Sequence, residues 1–262
     1  MPEPFKEIIN FEPITLTEME NVKLMDRVDS KYVFSASHFP AMAMGMLSDY
    51  KILEINSIRS HRYESLYFDT PDFQLYTKHH KGMLNRWKLR FRRYLDSDGL
   101  TFFEIKHKNN KARTIKNRVK MKAVGNILEN KSAQFLREIS PLTPEEFFPK
   151  IWVNYSRMTF VNKFSQERLT IDTGLHFIRE DSGNKSVVKF PNLVIAEAKR
   201  DKASSVSPFI RLVRQTGVRE SGISKYCFGI YHMVNEVKKN NFKEKIRFIH
   251  KMACTNNLGL ST

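Results

Sequence analysis

The sequence predicts an α+β protein whose antiparallel sheet forms a β-barrel tunnel with flanking helices. Two observations support this: segments rich in β-branched and aromatic residues follow one another, and charged and apolar side chains alternate within several of them. The chain has 262 residues, of which 41% are hydrophobic and 12% aromatic, enough for one large core. We therefore expect one domain over residues 15–238, an N-terminal extension over 1–14 and a basic C-terminal tail over 239–262.

Periodicity and capping residues give the expected elements in order. A helix at Thr15–Asp26, a strand at Arg27–Phe34 and a helix at Ser35–Leu47 come first. Strands follow at Tyr50–Ile55, Arg62–Asp69, Leu84–Tyr94, Leu100–Lys108 and Thr114–Lys122. After a helix near Ile127–Glu138, strands are expected at Ile151–Val161, Glu167–Asp172, Phe177–Arg179 and Leu193–Lys199. Helices near Ser207–Thr216 and Ser224–Val237 complete the domain, and the tail is expected to be a loosely docked helix or disordered.

The composition narrows the class of partner. Lysine and arginine number 44 against 28 acidic residues, a formal charge of +16, which attracts phosphate-rich partners without choosing among nucleic acid, anionic lipid and polyphosphate. Cys227 and Cys254 form no Cys/His cluster, so neither a disulfide framework nor a zinc site is indicated and a cytoplasmic location is expected. The sequence shows no export signal and no apolar run of the roughly 18 residues that a membrane helix needs.

One segment, Trp87–Arg92, alternates between apolar and cationic side chains, so Lys88, Arg90 and Arg92 share one face of a strand. The same alternation recurs in five more segments: Phe103–Lys108, Ile115–Val119, Tyr155–Arg157, Arg168–Asp172 and Ile195–Lys199. A single strand of this kind is explained by an ordinary sheet whose basic side faces water. Six of them favour a different arrangement.

Like charges opposite one another on paired strands repel, so repeated cationic faces need an anion or interleaved acids to neutralise them. Glu104, Asp172 and Glu197 are the interleaved acids. A closed barrel with a basic, water-filled interior meets this need. Arginine forks match phosphate oxygens, and a linear polyanion fits such a tunnel better than a duplex does.

Seven short motifs occur in the order of a known family. They are Met25–Tyr32, Tyr67–Thr70, Lys88–Arg92, Phe103–Lys106, Asn154–Arg157, Ala196–Lys199 and Ser224–Tyr226. On these motifs, residues 15–236 resemble the VTC domain, the catalytic part of the vacuolar transporter chaperone polyphosphate polymerases. The resemblance implies a fold of the triphosphate tunnel enzymes, whose antiparallel strands point basic and acidic side chains into a tunnel.

The resemblance also implies a transferase that adds the γ-phosphate of ATP to a polyphosphate chain. It assigns catalytic roles to Lys31, Arg90, Arg92, Lys106, Arg157 and Arg168. It assigns substrate binding to Lys88, Lys108, Lys116, Arg118, Tyr155, Lys199, Ser224 and Lys225. It makes Glu197 the ligand of Mn²⁺ or Mg²⁺, a sufficient set for phosphoryl transfer without a covalent nucleophile.

The sequence departs from related families in two ways. The CYTH-type triphosphatases carry Glu-x-Glu-x-Lys in the first strand, whereas this chain has Arg27, Asp29 and Lys31 there. Fewer carboxylates weaken a metal site that activates water, which favours transfer to phosphate over hydrolysis. The length also leaves no room for the SPX sensor or membrane region of the eukaryotic polymerases, so regulation by inositol pyrophosphates and translocation are not expected, and any membrane partner would be a separate protein.

Several alternatives stay open. The same tunnel could present water to the substrate, giving a tripolyphosphatase or short-chain polyphosphate hydrolase, or bind polyphosphate without turnover. Nucleic acid is a competitor at the level of composition but is not expected as a partner. Asp69 is expected to end a strand and cap the next helix, a role worth about 1 kcal/mol. The oligomeric state is not predicted.

Overall fold

The computed structural model describes residues 5–20, 27–111, 113–181, 183–202 and 207–254. The strands in these ranges are β1 (Glu12–Ile14), β2 (Arg27–Ser35), β3 (Tyr50–Leu53), β4 (His61–Asp69), β5 (Arg86–Tyr94), β6 (Thr101–Lys108), β7 (Thr114–Met121), β8 (Phe148–Asn162), β9 (Glu167–Asp181), β10 (Asn184–Phe190) and β11 (Leu193–Asp201). The α-helices are α1 (Leu16–Glu20), α2 (Phe39–Met46), α3 (Gln74–His80), α4 (Asn130–Ile139), α5 (Pro208–Gln215), α6 (Lys225–Met233) and α7 (Lys243–Cys254). None of these helices has the length and apolar character that crossing a membrane requires.

All of these strands belong to one sheet, whose main path runs β2-β11-β9-β8-β4-β5-β6-β7. Every pairing is antiparallel except that of β1 with β3, which is parallel. The expected α+β fold with an antiparallel, barrel-like sheet is confirmed. One detail differs: among the described strands β2 and β7 do not pair, so hydrogen bonds do not close the barrel. The sheet curls into an open trough instead.

Helices cover the outer face of the trough in two places. Near β2 and β11, Phe34 and Val194 pack with Met42 of α2 and Phe209 of α5 in one buried cluster. Near β5 and β6, the apolar side of the alternation is buried as expected, with Leu89, Phe91 and Phe103 packed under Leu136 of α4. Burying these side chains, at about 1.5–3 kcal/mol each, leaves the charged side of the same strands facing inward.

Helix α6 lies inside the trough and fills one end of it. Phe228 and Ile230 of α6 pack with Val33, Phe177 and other apolar residues from the inner faces of β2, β4, β8, β9 and β11. A side chain at Gly229 would meet Phe177 and Ile151 at 2.6 and 2.7 Å, so this close approach requires glycine. Helix α7 packs behind it through Ile246 and Ile249, which gives the described part of the tail a fixed place.

The predicted strands and most of the predicted helices are present, with three differences. Residues 167–181 form one strand where two were expected, because Gly174, with a positive φ of 61°, allows a bulge in the pairing with β8 without ending the strand. Helix α3 and the short strands β1 and β10 were not predicted, and β10 is a mostly exposed hairpin partner of β9 without an apolar pattern. The first helix is confirmed over Leu16–Glu20, with Thr15 and Glu18 bonded as a reciprocal cap, while residues 21–26 lie outside the described ranges.

Asp69 holds α3 and α6 against the end of β4. Its buried carboxylate accepts hydrogen bonds from the backbone amides of Thr70, Leu75 and Tyr76 at 2.8, 2.8 and 2.9 Å, and from the Tyr226 hydroxyl at 2.6 Å. Burial raises the pKa of this carboxyl, although the four donors oppose the rise. The capping role expected for Asp69 is therefore confirmed, and it extends to a second helix.

We expect Asp69→Ala to lower the free energy of unfolding by about 2–4 kcal/mol, because it leaves buried donors without an acceptor. Denaturant unfolding measures the loss. The control is Asp72→Ala, three residues on, where the carboxylate is exposed and the expected change is within about 0.5 kcal/mol. Equal effects of the two substitutions would contradict the anchoring role of Asp69.

Candidate functional site

The candidate site is the inner face of the trough, which we call the concave face. Strand register and alternation place on it Lys31 of β2, Glu197 and Lys199 of β11, Arg168 and Asp172 of β9, Tyr155 and Arg157 of β8, Lys88, Arg90 and Arg92 of β5, Glu104, Lys106 and Lys108 of β6, and Lys116 and Arg118 of β7. Ser224 and Lys225 join them at the start of α6. All the site residues predicted from the sequence thus lie on one surface, while their individual roles stay predictions.

Glu104 organises the cations of β5 and β7. It is 1% exposed and lies between its strand neighbours, with its carboxylate 2.6 and 2.8 Å from the Arg90 guanidinium and in contact with Lys116. Arg92 lies 4.0 Å away. Burial alone would raise the pKa of Glu104, but these three cations hold it well below its ordinary value. The carboxylate therefore stays ionised and fixes the orientation of the arginines.

Asp172 does the same on the other wall of the trough. It accepts two bonds from the Arg157 guanidinium at 2.6 and 2.8 Å and one from Lys225 at 2.5 Å. Burial opposes ionisation, yet Arg157 and Lys225 together hold the pKa of Asp172 below its ordinary value. Because Lys225 belongs to α6, this carboxylate also ties the helix to the sheet.

Glu197 forms the third charged centre. Its Oε1 lies 2.6 Å from Lys31 and 3.0 Å from Lys199, and Lys199 also contacts Asp29 at 2.7 Å. Desolvation is outweighed by Lys199 and Lys31, so the pKa of Glu197 is also lowered. Two carboxylates, Asp29 and Glu197, are thus bridged by one lysine. Arg168 lies on β9 opposite Lys199.

Three lysines stand in one cross-strand row without an interleaved acid. Lys88 pairs in register with Lys106, and Lys106 with Lys116, on three neighbouring strands. Lys88 donates to the Ser224 hydroxyl at 2.9 Å and Lys116 contacts Glu104, whereas Lys106 has no hydrogen-bond or ion-pair partner within the described residues. Desolvation, reinforced by Arg90, lowers the pKa of Lys106 to about 7, although the side chain keeps access to water.

The same lysine shows how strongly the sheet curls. Glu197 of β11 acts on Lys106 of β6 and opposes the fall of its pKa, although four strands separate the two along the sheet. The curled sheet therefore brings these two groups within electrostatic reach of each other. A cation without a partner on the concave face is a natural place for an anion.

The start of α6 adds to the positive potential at the closed end. Ser224 caps the helix by accepting from the Cys227 amide at 3.3 Å and receives the bond from Lys88. Lys225 also lies 4.6 Å from the centre of the Tyr155 ring. The helix N-terminus carries a partial positive charge, so it favours anions at the same end of the trough.

A divalent metal ion fits this site only together with a substrate. Within the described residues there is no group of three or more His, Cys, Asp or Glu side chains that could hold a metal. Asp29 and Glu197 are close enough to share Lys199. Mg²⁺ and similar ions commonly take one or two carboxylates and complete their shell with water and substrate phosphates, which suits this pair.

Sequence reasoning named Tyr155 but missed the other aromatic residues of the concave face. The Tyr67 hydroxyl accepts a hydrogen bond from Nη1 of Arg90 at 2.6 Å. The Tyr155 hydroxyl accepts one from Nη2 of Arg92 at 2.9 Å. Tyr63 stacks on Tyr155 at 5.3 Å. The period-two spacing of Tyr63 and Tyr67 could have indicated a shared face, but it gives no sign of the partner strands.

A separate cleft of about 840 Å³ lies between the β5–β6 turn and the start of α4. Its walls include Phe91, Leu100, Val124 and Ile127, together with Lys120 of β7. The charged centres described above do not line it, so we assign the chemistry to the concave face.

We expect Glu104→Gln to lower the free energy of unfolding by about 3 kcal/mol, because Arg90, Arg92 and Lys116 then lack their buried counter-charge. Thermal or denaturant unfolding without ligand measures this loss. Glu64→Gln is the matched control, since Glu64 pairs with Arg93 on the outer face, where the partly exposed pair is worth about 1 kcal/mol or less. A loss no greater than that of the control would contradict the central position of Glu104.

The lowered pKa of Lys106 predicts that anion binding depends on pH. Its lowered pKa, about 7, rises when an anion binds, so binding above pH 7 must take up a proton. Between pH 7 and 9 the affinity of the wild type for inorganic tripolyphosphate should fall by up to about tenfold per pH unit through loss of the Lys106 charge. Lys106→Arg stays charged and should lack this additional fall. Calorimetry in buffers of different ionisation enthalpy measures the proton uptake, and identical uptake by the two proteins would contradict the assignment.

Comparisons with known proteins place this geometry in a family. The family model described as VTC domain matches residues 26–234. No curated protein matches the chain. Solved structures with a similar fold include a candidate adenylate cyclase from Bacillus halodurans, at 13% identity and a TM-score of 0.46, covering 76% of this chain and 94% of that one.

Two further structures are similar in outline. A candidate adenylyl cyclase from Hippeastrum, with a dominant triphosphatase activity, has 14% identity and a TM-score of 0.48, covering 77% of this chain and 93% of its own. The Mediator head module of Schizosaccharomyces pombe contains a chain with 10% identity and a TM-score of 0.37, covering 74% and 92%. The family match spans most of the chain and includes the motifs of the concave face. The chain therefore belongs to the VTC domain family.

Proposed function

We propose that this protein is a polyphosphate polymerase that transfers the γ-phosphate of ATP to the end of a polyphosphate chain lying on the concave face. Membership of the VTC domain family supports a polyphosphate-related function. The concave face supports the choice of a linear polyanion as substrate.

The observation that carries the proposal is the row of Lys88, Lys106 and Lys116. Like charges opposite one another on paired strands repel, so such a row reduces stability unless an anion lies over it. Lys106, at its centre, has no ion-pair partner within the described residues. A chain of phosphates would neutralise the row and continue along the arginines held by Glu104 and Asp172.

Phosphoryl transfer requires positioning and neutralisation of charge more than covalent chemistry. In the proposed reaction Arg90, Arg92 and Arg157 hold the triphosphate of ATP through guanidinium forks already oriented by carboxylates. The lysine row holds the acceptor phosphate in line. Fixed cations of this kind cost little reorganisation when negative charge redistributes during transfer.

Mn²⁺ or Mg²⁺ would be held by Glu197, with Asp29 beside it, and by phosphate oxygens of the substrate. The ion would supply further neutralisation of the transferring group. Phosphate oxygens arriving near Lys31 and Lys199 would compete for these lysines and release carboxylate oxygens for the metal. On this view, the chain's own part is to keep both carboxylates ionised and close together.

The test is incubation of purified protein with ATP, Mn²⁺ and a short polyphosphate primer, with polymer followed on a gel and ADP measured. Arg90→Ala and Glu197→Gln should each reduce polymer synthesis by at least about 100-fold, the scale of losing one preorganised charge contact. The matched controls are Arg93→Ala and Glu64→Gln, which break a partly exposed pair on the outer face of β4 and β5. They should retain near-normal activity.

The other outcomes separate the competing functions. Release of orthophosphate without chain growth would show a hydrolase, for which the closeness of Asp29 to Glu197 is the favouring observation. Tight polyphosphate binding without turnover under any metal would show a binding module. Either result would overturn the proposal, as would equal activity losses in the site and control variants.

A further inference from the structure

A row of aromatic rings crosses the concave face, beginning at Tyr155 beside the N-terminus of α6 and leading away from that helix to β6. It consists of Tyr155, Tyr63, Tyr94 and Phe102, on the neighbouring strands β8, β4, β5 and β6. Successive ring centres lie 5.3, 4.9 and 6.0 Å apart. Tyr155 and Tyr63 are stacked, with 2° between their planes, whereas Tyr94 is tilted by 59° from Tyr63 and Phe102 stands edge-on to Tyr94 at 83°. The four rings therefore line the charged site as a stepped aromatic surface, which we call the shelf.

The two halves of the shelf have different surroundings. Over Tyr155 and Tyr63 the guanidinium groups of Arg92 and Arg157 lie 5.3–5.9 Å from the ring centres, so these rings orient arginines of the phosphate site. Tyr94 and Phe102 are only partly buried. The second half is thus the part of the shelf that a ligand can reach.

Neither Tyr94 nor Phe102 belongs to the buried apolar clusters of the described chain. The Tyr94 hydroxyl also has no hydrogen-bond partner among the described residues. Phe102 interrupts a strand face that otherwise carries Glu104, Lys106 and Lys108, where a polar residue would suit water better. Packing alone therefore does not account for this pair.

Arg118 extends the shelf, with its guanidinium 4.6 Å from the centre of the Phe102 ring. Aromatic faces and guanidinium planes are the surfaces on which nucleobases stack in proteins. From Phe102 the strand runs past Glu104 to Lys106, about 13 Å at roughly 3.3 Å per residue. A molecule with a planar ring on the shelf would direct its phosphates along this path to the lysine row.

We propose that Tyr94, Phe102 and Arg118 form a stacking site for the purine base of the nucleoside triphosphate donor. The inference rests on the proposed function for its choice of ATP as donor. It assigns base recognition to stacking and not to a hydrogen-bonded pocket, so purines should bind better than pyrimidines because their larger rings cover more of the shelf.

Calorimetric binding of ATP and of inorganic tripolyphosphate, both in EDTA to prevent turnover, tests the site. Phe102→Ala and Tyr94→Ala should each weaken ATP binding about tenfold and leave tripolyphosphate binding unchanged. Retained tripolyphosphate binding also shows that the variants are folded. Phe164→Ala is the control, since Phe164 is 78% exposed in the β8–β9 turn, and it should change neither affinity.

A second variant gives a signal instead of a loss. Phe102→Trp should keep its affinity for ATP, and its added fluorescence should be quenched by ATP but not by tripolyphosphate. Equal weakening of both ligands by Phe102→Ala, unchanged ATP affinity, or quenching by tripolyphosphate alone would overturn the proposal. Because these are binding measurements, they test the base site separately from the polymerase function. Absence of polymer synthesis would refute the polymerase function without refuting the base site. Polymer synthesis without the expected loss of ATP binding would refute the base site alone.

Discussion

Electrostatic repulsion among the cations of the concave face is the constraint on which the rest of the structure depends. Glu104, Asp172 and Glu197 each bind at least two cations from neighbouring elements. This interleaving lets the sheet bring so many positive charges together without a ligand. It also fixes the side chains, because a guanidinium held at two points cannot rotate freely. In the proposed function, the ion pairs that stabilise the fold would therefore also orient the arginines for phosphate.

The same charges connect the site to the core. Lys225 and Ser224 are bonded to Asp172 and Lys88, so the start of α6 is part of the charged surface, while the rest of α6 is packed among apolar residues of the trough. Asp69 adds the Tyr226 hydroxyl to this attachment. A helix buried at one end of the trough limits access from that side, and the proposed base site at Tyr94 and Phe102 lies on the strands farther from it. Site geometry and core packing thus share one element.

Much of this could be predicted from the sequence, because alternation is a local property. The segment Trp87–Arg92 by itself indicates which side chains share a face, and the ordered motifs indicate the family. The aromatic shelf could not be predicted, since Tyr63, Tyr94 and Phe102 meet only through the register of three strands. The position of α6 was equally hidden: its apolar residues indicate burial, but not that the burial site is the concave side. Whether the barrel closes could not be predicted either, because charge patterns carry no information on whether β2 pairs with β7.

The charge pairing also bears on the balance between transfer and hydrolysis. Asp29 and Glu197 share Lys199, so in the free protein a lysine occupies the position between the two carboxylates where a metal would bind. A phosphate chain that drew Lys199 and Lys31 toward itself would uncover the carboxylates only when substrate is present. Asp29 and Glu197 would then hold a metal together with phosphate oxygens, and the ion would supply charge neutralisation more readily than a bound water for hydrolysis. In the proposed function, the cations that neutralise Glu197 would therefore favour a phosphate acceptor over water.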